Sequence, residues 1–231
     1  MINCIYRATE GEGIHVGRPQ VFVRYQGCAI GCLNCDSKDT WNFLNSPTHT
    51  TEEIINLVYE EGFKGKIKFV SITGGDPLHP KLLPGVLELA KSLKNHGYGL
   101  NIEAAGSRVV EELFDIVDFI SFDYKTPSTG VKTPIENIRK IVANYSDKAQ
   151  IKAVVFDRDD FQAALKIRTV MLDEFPQSKL SWVLTPCYNT EEVFPMERFQ
   201  QIISWNEEMG GFFRVIGQQH KWIHGPDKKQ V

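Results

Sequence analysis

Apolar, β-branched runs alternate with helix-period segments along most of the chain. Runs over residues 21–25, 67–73, 98–103, 119–122, 150–156, 180–185 and 212–216 predict strands. Between them, apolar residues at helical spacing predict helices over 51–61, 80–94, 108–116, 134–144, 161–174 and 195–208. Thr50 or Thr51 caps the first helix, with Glu52 and Glu53 in its opening turn, where the helix dipole favours negative charge. Pro134 and Pro195 suit first-turn positions. There is no short repeat and no low-complexity tract.

Strand–helix alternation of this regularity implies right-handed βαβ units and a parallel sheet. The fold class is therefore α/β. About six units fall short of the eight that close a complete barrel, so a partial (β/α) barrel is expected, with ligands at the C-terminal ends of its strands. No boundary divides the chain, and residues 1–231 are read as one domain.

Composition narrows the class. The 231 residues are 42% hydrophobic and 24% charged, an ordinary balance for a chain that closes its own core. No apolar run approaches the roughly 20 residues needed to cross a bilayer, and the first ten residues carry neither a basic leader nor an apolar signal core. A cytoplasmic enzyme without membrane contact is expected. A net charge of −3 gives no electrostatic reason for a nucleic-acid ligand. The five cysteines are an odd number, and three of them fall within eight residues. In a reducing compartment that clustering points to metal or redox chemistry rather than disulfides. Cys4 and Cys187 stand alone and are read as small buried hydrophobes.

The first strong strand runs into Gln26-Gly27-Cys28-Ala29-Ile30-Gly31-Cys32-Leu33-Asn34-Cys35-Asp36, a C-x3-C-x2-C spacing on a glycine-punctuated loop. Thiolates are the expected ligands of an iron–sulfur cluster, and a cubane of four irons usually takes four of them. Three leave one iron open to a cofactor or substrate. A structural zinc site needs four closed ligands, and no fourth Cys or His stands nearby; a redox C-x2-C needs only two cysteines.

This spacing resembles the signature of the radical S-adenosylmethionine (radical SAM) superfamily. The resemblance implies a 4Fe-4S cluster on Cys28, Cys32 and Cys35 whose open iron binds the amino and carboxylate groups of S-adenosylmethionine. Reductive cleavage of that cofactor yields methionine and a deoxyadenosyl radical. The segment Thr73-Gly74-Gly75-Asp76 matches the superfamily's glycine-rich stretch, where the backbone approaches the cofactor's amino acid end. The residue before the third cysteine is usually aromatic in the superfamily; here it is Asn34.

Thr9-Glu10-Gly11-Glu12-Gly13, Cys35-Asp36-Ser37 and Gln218-Gln219-His220-Lys221 extend the resemblance nearly end to end, to the 7-carboxy-7-deazaguanine synthase family. That family converts 6-carboxy-5,6,7,8-tetrahydropterin to 7-carboxy-7-deazaguanine, with loss of ammonia, on the way to queuosine-type bases. The implied substrate contacts are Thr9, Glu10, Gly11, Glu12, Arg24, Thr73, His220 and the carboxylate of Val231, with the substrate-binding residues carried on N-terminal and C-terminal extensions. Glu10 stands where the family has glutamine, and when ionised it accepts hydrogen bonds without donating them. Arg24 suits the substrate's carboxylate or a carbonyl oxygen; the alternative is a surface salt bridge. The implied cofactor contacts add Asn34, Asp36, Glu103, Asp123 and Lys125, the last two being equally readable as a structural ion pair. Glu103 is followed by Ala104-Ala105, where the family has Thr-Asn/Ser. Ser37 stands where the family ligates Mg2+ through a hydroxyl. No side chain is singled out as an acid, base or nucleophile. A reductase or flavodoxin-like electron donor and a homodimer are further implications. The rivals are an activase that places a glycyl radical on a partner protein and a non-catalytic zinc module.

Overall fold

In a computed structural model the chain is described over residues 1–43 and 47–231. The strands are β1 (Ile2–Thr9), β2 (Pro19–Tyr25), β3 (Phe69–Gly74), β4 (Gly99–Ala104), β5 (Phe119–Asp123), β6 (Ala149–Val155), β7 (Ser181–Pro186) and β8 (Arg214–Val215). The helices are α1 (Thr51–Glu61), α2 (Leu83–Asn95), α3 (Glu111–Ile116), α4 (Ile135–Tyr145), α5 (Arg158–Glu174), α6 (Met196–Glu208) and α7 (Gln219–His224). All strands form one sheet in sequence order, with β1 and β8 at its edges. β1 pairs antiparallel with β2, and every later pairing is parallel. Helices α1 to α6 each cross between consecutive parallel strands from β2 to β8, giving the six units expected of a partial barrel.

Period-two alternation sorts the side chains into two populations. Val23, Val70, Ile72, Leu100, Ile102, Ile120, Phe122, Ile151, Val155 and Leu184 turn toward the helices and build the core. The alternate positions Gln20, Ser71, Asn101, Ser121 and Gln150 are buried and polar, and they face the lumen. A polar lumen is stable only when its groups pair: Asn101 donates to Ser71 Oγ (2.8 Å) and Gln150 to Ser121 Oγ (2.9 Å).

Local signals account for most boundaries. Thr50 and Glu53 form a reciprocal capping box at α1, so the helix begins where the sequence places it. α5 begins at Arg158, earlier than the pattern suggested, because Asp157 caps it by accepting from Asp160 N–H. Pro134 and Pro195 are N-caps rather than first-turn residues. β1 and α7 are absent from the sequence pattern. Ile2–Thr9 has no clear alternation and becomes a strand by pairing with β2. No helix among the described residues is long and apolar enough to cross a membrane.

Phe122 is fully buried and meets Phe114 edge-on, at 6.3 Å between ring centroids and 89° between planes. Phe122→Ala is expected to lower stability by about 3–5 kcal/mol, the cost of the lost ring and the cavity left behind, measured by denaturant unfolding.

Candidate active site

The C-terminal ends of the parallel strands open on a cleft of about 600 Å3. Cys28, Cys32 and Cys35 line it from the loop after β2. Gly27 and Gly31 hold left-handed backbone (φ +119° and +77°), which lets the loop double back tightly. Ile30 N–H donates to Cys28 Sγ at 3.5 Å, and Leu33 N–H anchors the far side of the loop on Thr129 O at 2.9 Å. Gly75 lies directly behind: a Cβ there would stand 2.5 Å from Gly27 O and 2.8 Å from Cys28 Cβ. These residues fit a three-thiolate cluster with glycine backbone against it.

A second, polar group faces the same cleft. The turn after β1 crosses the lumen: Ile14 N–H donates to Gln150 Oε1 (2.9 Å), and Lys152 Nζ of β6 lies 2.5 Å from Glu12 Oε2. Burial alone would raise the Glu12 carboxyl, but the charge and hydrogen bond of Lys152, with a further hydrogen bond from Gln218, hold it well below the usual carboxylate range. Burial opposes the charge on Lys152, yet Glu12, Asp123 and Glu103 together raise its pKa. Asp123 pairs with Lys125 at 2.7 Å and lies 3.7 Å from Lys152. Glu103 accepts from Thr73 Oγ1 at 3.3 Å. Burial and the neighbouring carboxylates Glu103 and Glu12 push Glu10 up to about 8. Arg24 reaches Tyr6 OH (3.0 Å) and Ser37 Oγ (3.4 Å), and Ser37 Oγ is 3.1 Å from Asp36 Oδ1.

The C-terminal region closes the circle. Gln218 donates to Glu12 Oε1 (2.7 Å), and Gln219 N–H donates to Gly11 O (2.8 Å). His220 packs so tightly on Gly11 that a Cβ there would stand 2.1 Å from its Nδ1. Residues 226–231, Val231 among them, also line the cleft.

Every residue singled out from the sequence lines this cleft except Asp76. Asp76 is buried and turned away: its carboxylate bonds Arg108 Nη1 (2.7 Å) and Leu78 N–H (3.2 Å), shaping the turn after β3. Asp123–Lys125 is an ion pair and a cleft wall at once. Cys4, read as a buried hydrophobe, instead lines the cleft half-buried, whereas Cys187 is buried and also borders it. The sequence reading missed Lys152 and Tyr6, and named Gln218 only as part of its terminal motif. A lysine between apolar neighbours in Gln150-Ile151-Lys152-Ala153 was the available signal, since an inward charge on a buried strand needs a partner.

A radical SAM superfamily model matches residues 22–158, from β2 to the start of α5. The 7-carboxy-7-deazaguanine synthase of Pyrobaculum aerophilum is 33% identical over 217 residues, covering 94% of this chain and 90% of that one. The synthase of Escherichia coli K12 is 27% identical over 199 residues, covering 76% and 81%. The crystal structure of QueE from Escherichia coli shares the fold, with a TM-score of 0.70 at 21% identity over 95% of this chain and 93% of that one. Fold, cysteine loop and matched region together define a radical SAM enzyme. Within that superfamily, the chain belongs to the 7-carboxy-7-deazaguanine synthase family.

Two outcomes test the site's construction. Gly75→Ala is expected to displace the Cys28 loop, lowering iron bound per chain after anaerobic reconstitution while the far-ultraviolet circular dichroism is kept. Lys152→Met leaves Glu12 buried without its cation and is expected to cost about 3–5 kcal/mol at neutral pH. Because Lys152 keeps the folded pKa of Glu12 low, the stability it confers is present above the unfolded carboxylate pKa and lost as pH falls toward the folded value. The gap between variant and wild type in urea unfolding should therefore narrow on acidification.

Proposed function

We propose that this chain is a radical SAM lyase converting 6-carboxy-5,6,7,8-tetrahydropterin to 7-carboxy-7-deazaguanine with loss of ammonia. The observation that carries the reading is one cleft in which a three-thiol loop faces a buried cluster of carboxylates and cations. The cluster and S-adenosylmethionine supply one-electron radical chemistry when bound; the chain's own residues bind, orient and exclude water. Cys28, Cys32 and Cys35 hold the cluster, and the Gly74-Gly75 backbone, Asn34, Asp36, Asp123 and Lys125 border the cofactor, with Glu103 between the cofactor and the pterin. Thr9, Glu10, Gly11, Glu12, Thr73 and His220 surround the pterin. Arg24 holds its carboxylate, since a guanidinium presents paired donors to two oxygens. Holding the reacting carbon against the radical source in a closed cleft is the protein's main contribution to rate.

Magnesium belongs to this reading at Ser37, whose hydroxyl lies beside the Asp36 carboxylate. No three His, Cys, Asp or Glu side chains among the described residues converge on a single ion, so Mg2+ would take its other ligands from water and substrate, as that ion commonly does. An outside one-electron donor and pairing of two chains complete the proposal on family resemblance. So does a one-domain organisation, in which β1 with its following turn and the residues after β8 are extensions that serve the substrate. The activase reading is not favoured, because curated 7-carboxy-7-deazaguanine synthases match this chain at 32–33% identity.

Reduced, reconstituted enzyme given S-adenosylmethionine, the carboxypterin and Mg2+ should release carboxydeazaguanine, followed by chromatography. Cys32→Ala should lose all turnover while keeping its fold. Cofactor cleavage without any carboxydeazaguanine would reject the proposed substrate.

A further inference from the structure

The lumen cluster holds more acid than it has cations to match. Lys152 serves Glu12 and Lys125 serves Asp123. Glu10 and Glu103 are left without a cation in hydrogen-bond reach among the described residues. Glu10 is only 6% exposed; its Oε1 accepts from Glu12 N–H (3.1 Å) and its Oε2 from Gln20 Nε2 (2.7 Å). Among the described residues, Glu103 accepts one long hydrogen bond, from Thr73.

The remaining charged groups around the pair are engaged elsewhere. Arg18 lies over Phe69, its Cζ 3.5 Å from the ring centroid, and donates to Gln20. Arg24 is turned to Tyr6 and Ser37. Burial lowers His220 and, with Arg18, pushes His15 down to about 4, so neither ring supplies a positive charge at neutral pH. Both Glu10 and Glu103 border a second, small cavity of about 10 Å3, room for about one water. Asn101 lines it too, 2% exposed, and its Oδ1 is buried with no partner among the described residues while its Nδ2 is spent on Ser71. An acceptor left over at that point calls for a donor from the cavity side.

We propose that Glu10 and Glu103 hold one proton between them at neutral pH, so that this pair presents a donor as well as acceptors to the edge of the substrate ring. Two ionised carboxylates in a buried site with no free cation repel, and a shared proton removes that repulsion. Burial with the charges of Glu103 and Glu12 raises Glu10, and burial with the charges of Glu12 and Asp123 raises Glu103, in agreement with the geometry. Ionised carboxylates only accept hydrogen bonds, whereas a pterin edge carries N–H donors beside a carbonyl acceptor. One proton makes the pair complementary to both. This role rests on the pterin reading above; the protonation state does not.

Difference infrared spectra of the full-length reconstituted protein test the proton directly, without substrate. Near neutral pH, wild type minus E10Q and wild type minus E103Q should each show a protonated-carboxyl band lost or shifted, and the band should fade as pH rises through about 8. Binding of the carboxypterin, followed by fluorescence without reductant, should weaken about tenfold per pH unit above that point in wild type. In E10Q, whose amide donates at every pH, it should stay flat. If neither variant alters a neutral carboxyl band, or if E10Q keeps the wild-type alkaline weakening, the proposal is overturned. A band with no pterin binding at any pH upholds the shared proton and removes the substrate assigned to the cleft.

Discussion

The ion pair between Glu12 and Lys152 joins residues 140 positions apart across the lumen. Burying two charges costs several kcal/mol per ion unless the pair is close and its remaining hydrogen-bonding capacity is filled. Here Gln218 fills the second oxygen of Glu12, and Asp123 lies behind Lys152. One charge pair thus draws together the turn after β1, the sixth strand and the segment after β8. An open barrel has no closing strand to fix its lumen, and this cross-lumen contact supplies the constraint instead.

The parallel sheet explains why the chemistry gathers in one place. Every strand from β2 to β8 ends on the same rim, so the residues that follow each strand are neighbours in space however far apart they are in sequence. The cysteine loop follows β2, the two glycines close β3, Glu103 sits near the end of β4, Asp123 and Lys125 leave β5, and Gln218 follows β8. Backbone contact between Gly75 and the Cys28 loop packs these two segments directly against each other. Alternation along the strands does the rest, sending aliphatic side chains to the helices and polar ones to the lumen.

The site was legible wherever its chemistry is local. Three thiols at C-x3-C-x2-C spacing belong to a single loop and need no tertiary contact to be recognised. The same holds for Thr73-Gly74-Gly75 and for Gln218-Gln219-His220-Lys221. Asp76 was misread because an acidic residue beside two glycines looks the same whether it faces a ligand or, as here, Arg108. Lys152 was passed over because its partner lies on a turn in another part of the chain, and no local pattern reports that distance. β1 escaped notice for a related reason: its partner β2, rather than its own alternation, makes it a strand.

From the sequence alone came the α/β class, the six crossover units, the capped start of α1 and the cysteine loop, because each depends on side-chain period, backbone preference or ligand spacing within a few residues. The tertiary structure alone decided which polar strand positions face the lumen together, which carboxylate keeps a lysine and which goes without, and where Asp76 points. Those outcomes turn on burial and on charges brought close by the fold, and neither quantity exists until the chain has closed around them.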